Sequence, residues 1–239
     1  MGHPGSSARI KPQGIGARVL RKEDQRHLQG TGNFVADMVM PGLSEVAFMR
    51  SPLAHARITS IVIPEANRSS VLTRAMLTDA LDITADSSLS TYQLSSHPPL
   101  ASQKVRFVGE PVVMGYAATR AEAEDLLETV QVEYEDLPAY ADVLSSMKAT
   151  EHLVHEQWKD NAFVTLSIDK NFDALAAKAE VVVHRKMSLA RQCMVPLEGK
   201  AVLAYWDHQA NQLVVVSATQ VPHLIRTALA QYLQMDQGQ

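Results

Sequence analysis

The chain has 239 residues, 46% of them hydrophobic, and a formal net charge of −4. That length and apolar share suit one large or two ordinary globular domains, and the charge leaves no broad basic surface for a nucleic-acid backbone. The single cysteine, Cys193, excludes an intramolecular disulfide and any all-cysteine zinc or iron–sulfur cage built from this chain alone.

Residues 1–16 read as a flexible leader rich in Gly, Pro and Ser, without the apolar core of a secretory signal. Gly2 and Ser6 fit the Met-Gly-x-x-x-Ser pattern of N-myristoylation, a pattern short enough to arise often by chance. No stretch approaches the ~18 consecutive apolar residues of a membrane span, and a cytoplasmic protein is expected. Segments 43–50 and 55–63 carry alternating or β-branched apolar residues between turn signals and predict two strands. Leu72, Ala75, Met76 and Leu77, near helical spacing, predict a helix over 71–81. Residues 82–103, rich in Ser and Pro, have no period of their own and read as a long excursion.

Two strand-like runs flank Gly109-Glu110-Pro111, and Thr119 with Glu122 forms a capping box that satisfies free amides at a helix start. Ala123, Leu126, Leu127 and Val130 then make one buried stripe, followed by a strand that Pro138 ends. An α/β unit closes by about residue 137, with 138–160 as a solvated connecting arm. From 161 onward, 162–168, 179–191, 199–207 and 211–219 are strand candidates, with a short Ala-rich helix over 172–179 and a turn at 208–211. Pro222 suits a first helical turn, and Ile225, Ala228, Leu229, Tyr232 and Leu233 form the apolar face of that helix.

His152 and His155, three apart, lack the further ligands that a catalytic zinc needs. The carboxylates Glu122, Glu124, Asp125, Glu133, Glu135 and Asp136 read as solvated faces. Gly30-Thr31-Gly32 and Gly14-Ile15-Gly16 lack the strand, third glycine and helix of a dinucleotide fingerprint and read as turns. Cys193 reads as a buried packing thiol and Glu198 as a hydrogen-bond organiser before a strand. Gln220, in SATQ ahead of the Pro222 helix, offers both a donor and an acceptor. It can cap its own helix or face an anion or oxo group beside the free amides of the helix start, and spacing leaves both readings open.

The order of motifs carries a resemblance. The run from Arg21 to Ile58, then VRFVGEPVVMGYAATRAEAEDLLETVQVEYEDLPAYAD, resembles the α/β hammerhead domain that opens the large subunit of the molybdenum hydroxylases. That family includes xanthine dehydrogenase, aldehyde oxidase and carbon monoxide dehydrogenase. RQCMVPLEGKAVLAYWD and VVVSATQVPHLIRTALAQYL resemble the start of the molybdopterin-binding domain that follows. The resemblance implies an α+β architecture: a hammerhead domain over 17–137, the arm over 138–160, and the first part of the cofactor domain over 161–239.

It also implies an oxidoreductase that takes oxygen from water at a molybdenum held by a molybdopterin, in dinucleotide form. Electrons would pass to iron–sulfur and FAD groups on partner subunits, since this chain carries the motifs of neither. Gln220 matches the family glutamine whose amide hydrogen-bonds an oxygen on molybdenum, and so stands as both a catalytic and a cofactor-binding candidate. Glu198 matches a carboxylate of a Pro-Met-Glu-like segment, with Leu197 in place of methionine, and carries no assigned catalytic role. The family's glycine-rich loop, later substrate residues and glutamate base have no counterpart here. The expectation is therefore an N-terminal part of a longer subunit, inactive alone, with a carbon monoxide dehydrogenase large-chain fragment as one alternative. The other is a non-catalytic assembly module whose uncovered sheet edge and helix face dock partner subunits.

Overall fold

The computed structural model describes residues 14–15, 17–85, 87–168, 171–190, 192–196 and 198–239. Most of the expected leader, including Gly2 and Ser6, lies outside them. In chain order the elements are α1 (Asp24–Leu28), β1 (Glu45–Arg50), β2 (Ala56–Val62), β3 (Val71–Leu72), β4 (Ile83–Thr84), β5 (Ser96–His97), β6 (Lys104–Val105) and β7 (Pro111–Ala117). They continue with α2 (Arg120–Glu128), β8 (Gln131–Asp136), α3 (Val143–Lys148), α4 (Phe172–Ala176), β9 (Val202–Asp207), β10 (Gln212–Ser217) and α5 (Pro222–Tyr232). Two compact units emerge: residues 40–193 with 219–239, and residues 194–218 with the described part of 1–39.

In the larger unit β7 lies between β1 and β3, antiparallel to both, while β2 lies between β6 and β8. Both sheets contribute to one core, where Ala47, Ala56, Val105, Val112 and Val113 are almost wholly buried. Val112 and Val113 point to opposite faces of β7, yet both are 0% exposed, so this central strand is covered on both sides. Each such valine contributes about 1.5–3 kcal/mol of burial. Pro111 sits at the strand's first residue, where a missing N–H is tolerated, and Gly109 takes the positive φ of +90° that the turn before it requires.

The capping box forms as expected: Thr119 Oγ1 accepts the Glu122 amide at 3.3 Å and the Glu122 carboxylate accepts the Thr119 amide at 3.0 Å. Helix α2 then buries Ala123 and Leu127 against β7, with Val130 buried just beyond its end. The fit is close at Gly115, where a Cβ would lie 3.1 Å from both the Ala123 carbonyl oxygen and the Leu127 side chain.

Three expectations are corrected. Residues 71–81 are not a helix: Val71 and Leu72 pair with Gly115 and Met114 of β7, and only a single 3-10 turn follows at Arg74–Met76. A buried pairing site beside β7 overrides the local helical spacing, and Val71 is 0% exposed there. Residues 162–168 and the described part of 179–191 form no strand, because no neighbouring strand pairs with them among the described residues. The arm over 138–160 is not merely solvated. It contains α3, buries Trp158, and donates from the Trp158 indole to the Leu94 carbonyl at 2.7 Å.

The excursion over 82–103 holds the short β4–β5 pair and is tied to that arm by Gln93. The Gln93 amide donates to Asp160 Oδ1 at 2.9 Å and to the Ala162 carbonyl at 2.7 Å.

In the smaller unit β9 and β10 form an antiparallel hairpin whose turn places Asn211 at φ +54°. The Glu198 carboxylate accepts the Val35 amide at 3.3 Å within this unit, which is the organising role expected of it. No helix among the described residues is long and apolar enough to cross a membrane.

Replacing Gly115 by Val overpacks the α2–β7 contact and is expected to lower stability by about 1–3 kcal/mol, read from the urea unfolding midpoint. An unchanged midpoint would mean that the close approach is not a constraint.

Candidate functional site

Gln220 follows β10 and Ala218-Thr219 in the chain and precedes Pro222, the first residue of α5. Thr219 Oγ1 accepts the Val221 amide at 3.1 Å, so a side-chain turn spans Gln220. No side chain caps the start of α5, and Gln220 is therefore not occupied with its own helix. Its side chain is exposed and has no hydrogen-bond partner among the described residues.

Beside it, the first amides of α5 have no intrahelical acceptor, as at any helix start. This donor set fits an oxygen-rich, anionic cofactor: a neutral amide able to give or accept, next to a helix terminus that favours negative charge. Among the described residues no group of three or more His, Cys, Asp and Glu is arranged to hold a metal ion. His152 is exposed at φ +52°, whereas His155 stacks on Trp158 at 4.3 Å between ring centroids. Cys193 is exposed rather than packed, a correction that follows from its position in the unpaired, solvent-facing segment after 180. The carboxylates of α2 and β8 face solvent as expected.

A second concentration of chemistry, not anticipated from the sequence, lies inside the larger unit. Glu110, 1% exposed, accepts the Arg106 amide through Oε2 at 2.5 Å, while Oε1 has no hydrogen bond and lies 4.0 Å from His97 Nδ1. Lys104, also buried, donates to the Leu153 carbonyl at 3.0 Å and pairs with Glu156 at 2.5 Å. Arg106 donates to the Val154 carbonyl at 3.1 Å. Burial pulls Lys104 below its usual pKa, with the Glu156 contact acting against it. Partial burial alone would raise Glu156, but the Lys104 hydrogen bond and charge outweigh it and hold it low. The available signal was a Glu set between Gly and Pro at the mouth of an apolar strand.

The family model for the aldehyde oxidase and xanthine dehydrogenase a/b hammerhead domain matches residues 29–138, and that for the molybdopterin cofactor-binding domain matches residues 154–239. The chain belongs to the molybdenum hydroxylase large-subunit family. It is 31% identical to the 6-hydroxypseudooxynicotine dehydrogenase complex subunit gamma of Paenarthrobacter nicotinovorans, over 98% of this chain and 30% of that protein. It is 33% identical to the carbon monoxide dehydrogenase large chain of Afipia carboxidovorans, over 92% of this chain and 29% of the relative. Quinoline 2-oxidoreductase from Pseudomonas putida 86 has the same fold over 95% of this chain and 30% of its own, with a TM-score of 0.80 and 32% identity. The chain thus spans under a third of each of these relatives. Both curated relatives are named as parts of larger enzymes, a complex subunit and a large chain.

Burial, reinforced by the positive Arg106 and Lys104, lowers the His155 pKa from 6.5 to about 4. The unfolded chain binds that proton below its ordinary pKa and the folded chain does not, so stability present near neutrality is lost as pH falls through this window. The His155 share is no steeper than about 1.4 kcal/mol per pH unit. His155→Phe keeps a ring against Trp158 and is expected to flatten the decline, leaving the part due to His55, which burial also lowers. Denaturant midpoints measured through this range test it, and an identical pH profile in the variant would remove His155 as the cause.

Proposed function

We propose that this chain forms part of a molybdenum-cofactor oxidoreductase in which Gln220 is the residue that meets the cofactor. The observation that carries this reading is the Gln220 amide, exposed and without a partner, within the region matched to the molybdopterin-binding domain. In this reading residues 17–137 are the hammerhead domain, 138–160 the arm, and 161–239 the first part of the cofactor domain.

When bound, the molybdopterin dinucleotide supplies two-electron oxidation of substrate with oxygen drawn from water. Gln220 would hold the cofactor through its amide N–H and would steady negative charge on the accepting atom. The Thr219–Val221 hydrogen bond spans Gln220 and holds the backbone turn that carries it. Because the amide is neutral, it contributes without needing a counter-charge.

Electrons would leave to an iron–sulfur subunit and an FAD subunit of a cytoplasmic complex; relatives named as a complex subunit and a large chain support the multi-subunit part of this reading. The substrate is a small molecule, either an N-heteroaromatic ring or carbon monoxide, after the relatives named for quinoline and carbon monoxide.

In the full-length subunit assembled with its partners, Gln220→Ala is expected to lower substrate-dependent dye reduction roughly tenfold to a hundredfold, the usual effect of removing a hydrogen bond to a metal-centre ligand. The thermal midpoint should not move, since the side chain holds nothing else in place. Assays with quinoline and with carbon monoxide separate the two substrate classes. Unchanged turnover in the variant would remove Gln220 from the site.

A further inference from the structure

Helix α5 is held in an unusual way for the element that carries Gln220 at its N-terminal end. None of its residues is fully buried, and Leu224 is 67% exposed, so packing alone does not fix its direction. Its other end is bound by hydrogen bonds to the loop 79–84. The Tyr232 hydroxyl donates to the Thr84 carbonyl at 2.7 Å and accepts the Thr84 amide at 3.1 Å, while the Tyr232 carbonyl accepts the Leu81 amide at 2.8 Å. Two residues on, Gln234 donates its side-chain amide to the Asp79 carbonyl at 2.9 Å.

Gln234 does so from φ +54°, a position after a helix where glycine is the unstrained choice. A glutamine there forgoes the easier backbone and gains the bond to Asp79. Arg74 braces the loop from within: it donates to the Leu77 carbonyl at 2.7 Å, to the Ala80 carbonyl at 3.1 Å and to Asp82 at 2.9 Å.

The 11 residues of α5 make a lever of roughly 16 Å, and a tilt of about 5° at one end moves the other by about 1.4 Å. Misplacing a catalytic group by about 1 Å costs on the order of a hundredfold in rate. We propose that Tyr232 and Gln234 clamp α5 to the 79–84 loop of the hammerhead region, and that Tyr232 is thereby a positioning residue for Gln220. This rests on the role given to Gln220 above. It assigns the hammerhead region a task beyond packing: it indexes the helix that presents the amide.

The test uses the full-length subunit with its cofactor and partners, in Tyr232→Phe, Gln220→Ala and the double variant. Amide hydrogen exchange over 222–232 is expected to speed up roughly tenfold in Tyr232→Phe, with exchange elsewhere and molybdenum content unchanged. Its kcat is expected to fall about tenfold to a hundredfold at constant KM. In the Gln220→Ala background the same change should cost nothing more, because a lever with no amide to aim has no effect. Gln234→Gly removes one clamp bond while relieving the backbone, and should raise exchange without lowering the unfolding midpoint.

Unchanged exchange in both clamp variants would overturn the clamp itself. Losses that multiply in the double variant would overturn the positioning role and leave the reading of Gln220 standing. A Gln220→Ala enzyme of full activity would overturn that reading and the positioning role together, whatever the exchange data report about the clamp.

Discussion

A carboxyl group with no access to water sits at the entrance of the central strand, and much of the larger unit is arranged around keeping it there. Glu110 is 1% exposed and takes the Arg106 amide on one oxygen. A carboxylate buried without partners costs several kcal/mol, so the turn that supplies this amide cannot relax without exposing the loss. The same turn is locked to the end of β1: the Ser51 amide donates to the Glu110 carbonyl at 2.9 Å, and the Gly109 amide donates to the Ser51 carbonyl at 2.8 Å. Register between β1 and β7 is thus set at one end by a polar contact and along its length by the two-sided burial of Val112 and Val113.

From this turn the polar contacts spread to the arm. Lys104 and Arg106 enter and leave the β6 strand and both reach the 153–156 segment, where backbone carbonyls and Glu156 meet them. A buried ammonium tolerates that position only with such neighbours, and burial already pulls its pKa down. The arm is therefore fixed by charge and carbonyl contacts on one side and by the Trp158 indole on the other. Two imidazole nitrogens, His55 Nε2 and His155 Nδ1, stay without partners in the same region. Burial, and after it the positive charges of Lys104 and Arg106, lowers the pKa of both imidazoles.

How much of this was legible depends on whether the cause was local. The Thr119–Glu122 capping box and the Ala123/Leu127 stripe are written within a few residues and appear as expected. So do both long strands of the first sheet pair and the β9–β10 hairpin. The helical spacing of 71–81 misled because Val71 is claimed by β7, more than forty positions away. The strand candidate at 179–191, with its run Val181-Val182-Val183, fails for the opposite reason: a strand is a pairing, and the residues alone cannot announce whether a partner exists. The burial of Glu110 and Lys104 is not written in their neighbours, because the covering groups come from the end of β1 and from the 153–156 segment. At the site, position and amide chemistry made Gln220 a candidate. Only the structure distinguishes it from its neighbour: Thr219 accepts the Val221 amide, while the glutamine side chain has no partner among the described residues.

Tyr232 lies on the apolar stripe of α5, as its spacing predicts, but its polar end decides what it does. A tyrosine on such a stripe brings a hydroxyl that must find partners when its ring is partly covered. Here those partners are both backbone groups of Thr84, a donor and an acceptor of the same residue, which fix the ring in one orientation rather than merely satisfying it. An apolar contact of similar area would tolerate sliding by a fraction of a turn. Two hydrogen bonds to the backbone of one residue do not, and a helix with no fully buried residue depends on that directional grip to hold its angle. The helix presenting a neutral, uncommitted amide is thus oriented by polar contacts at its far end, so that its aim is set within the hammerhead region and not at the amide itself.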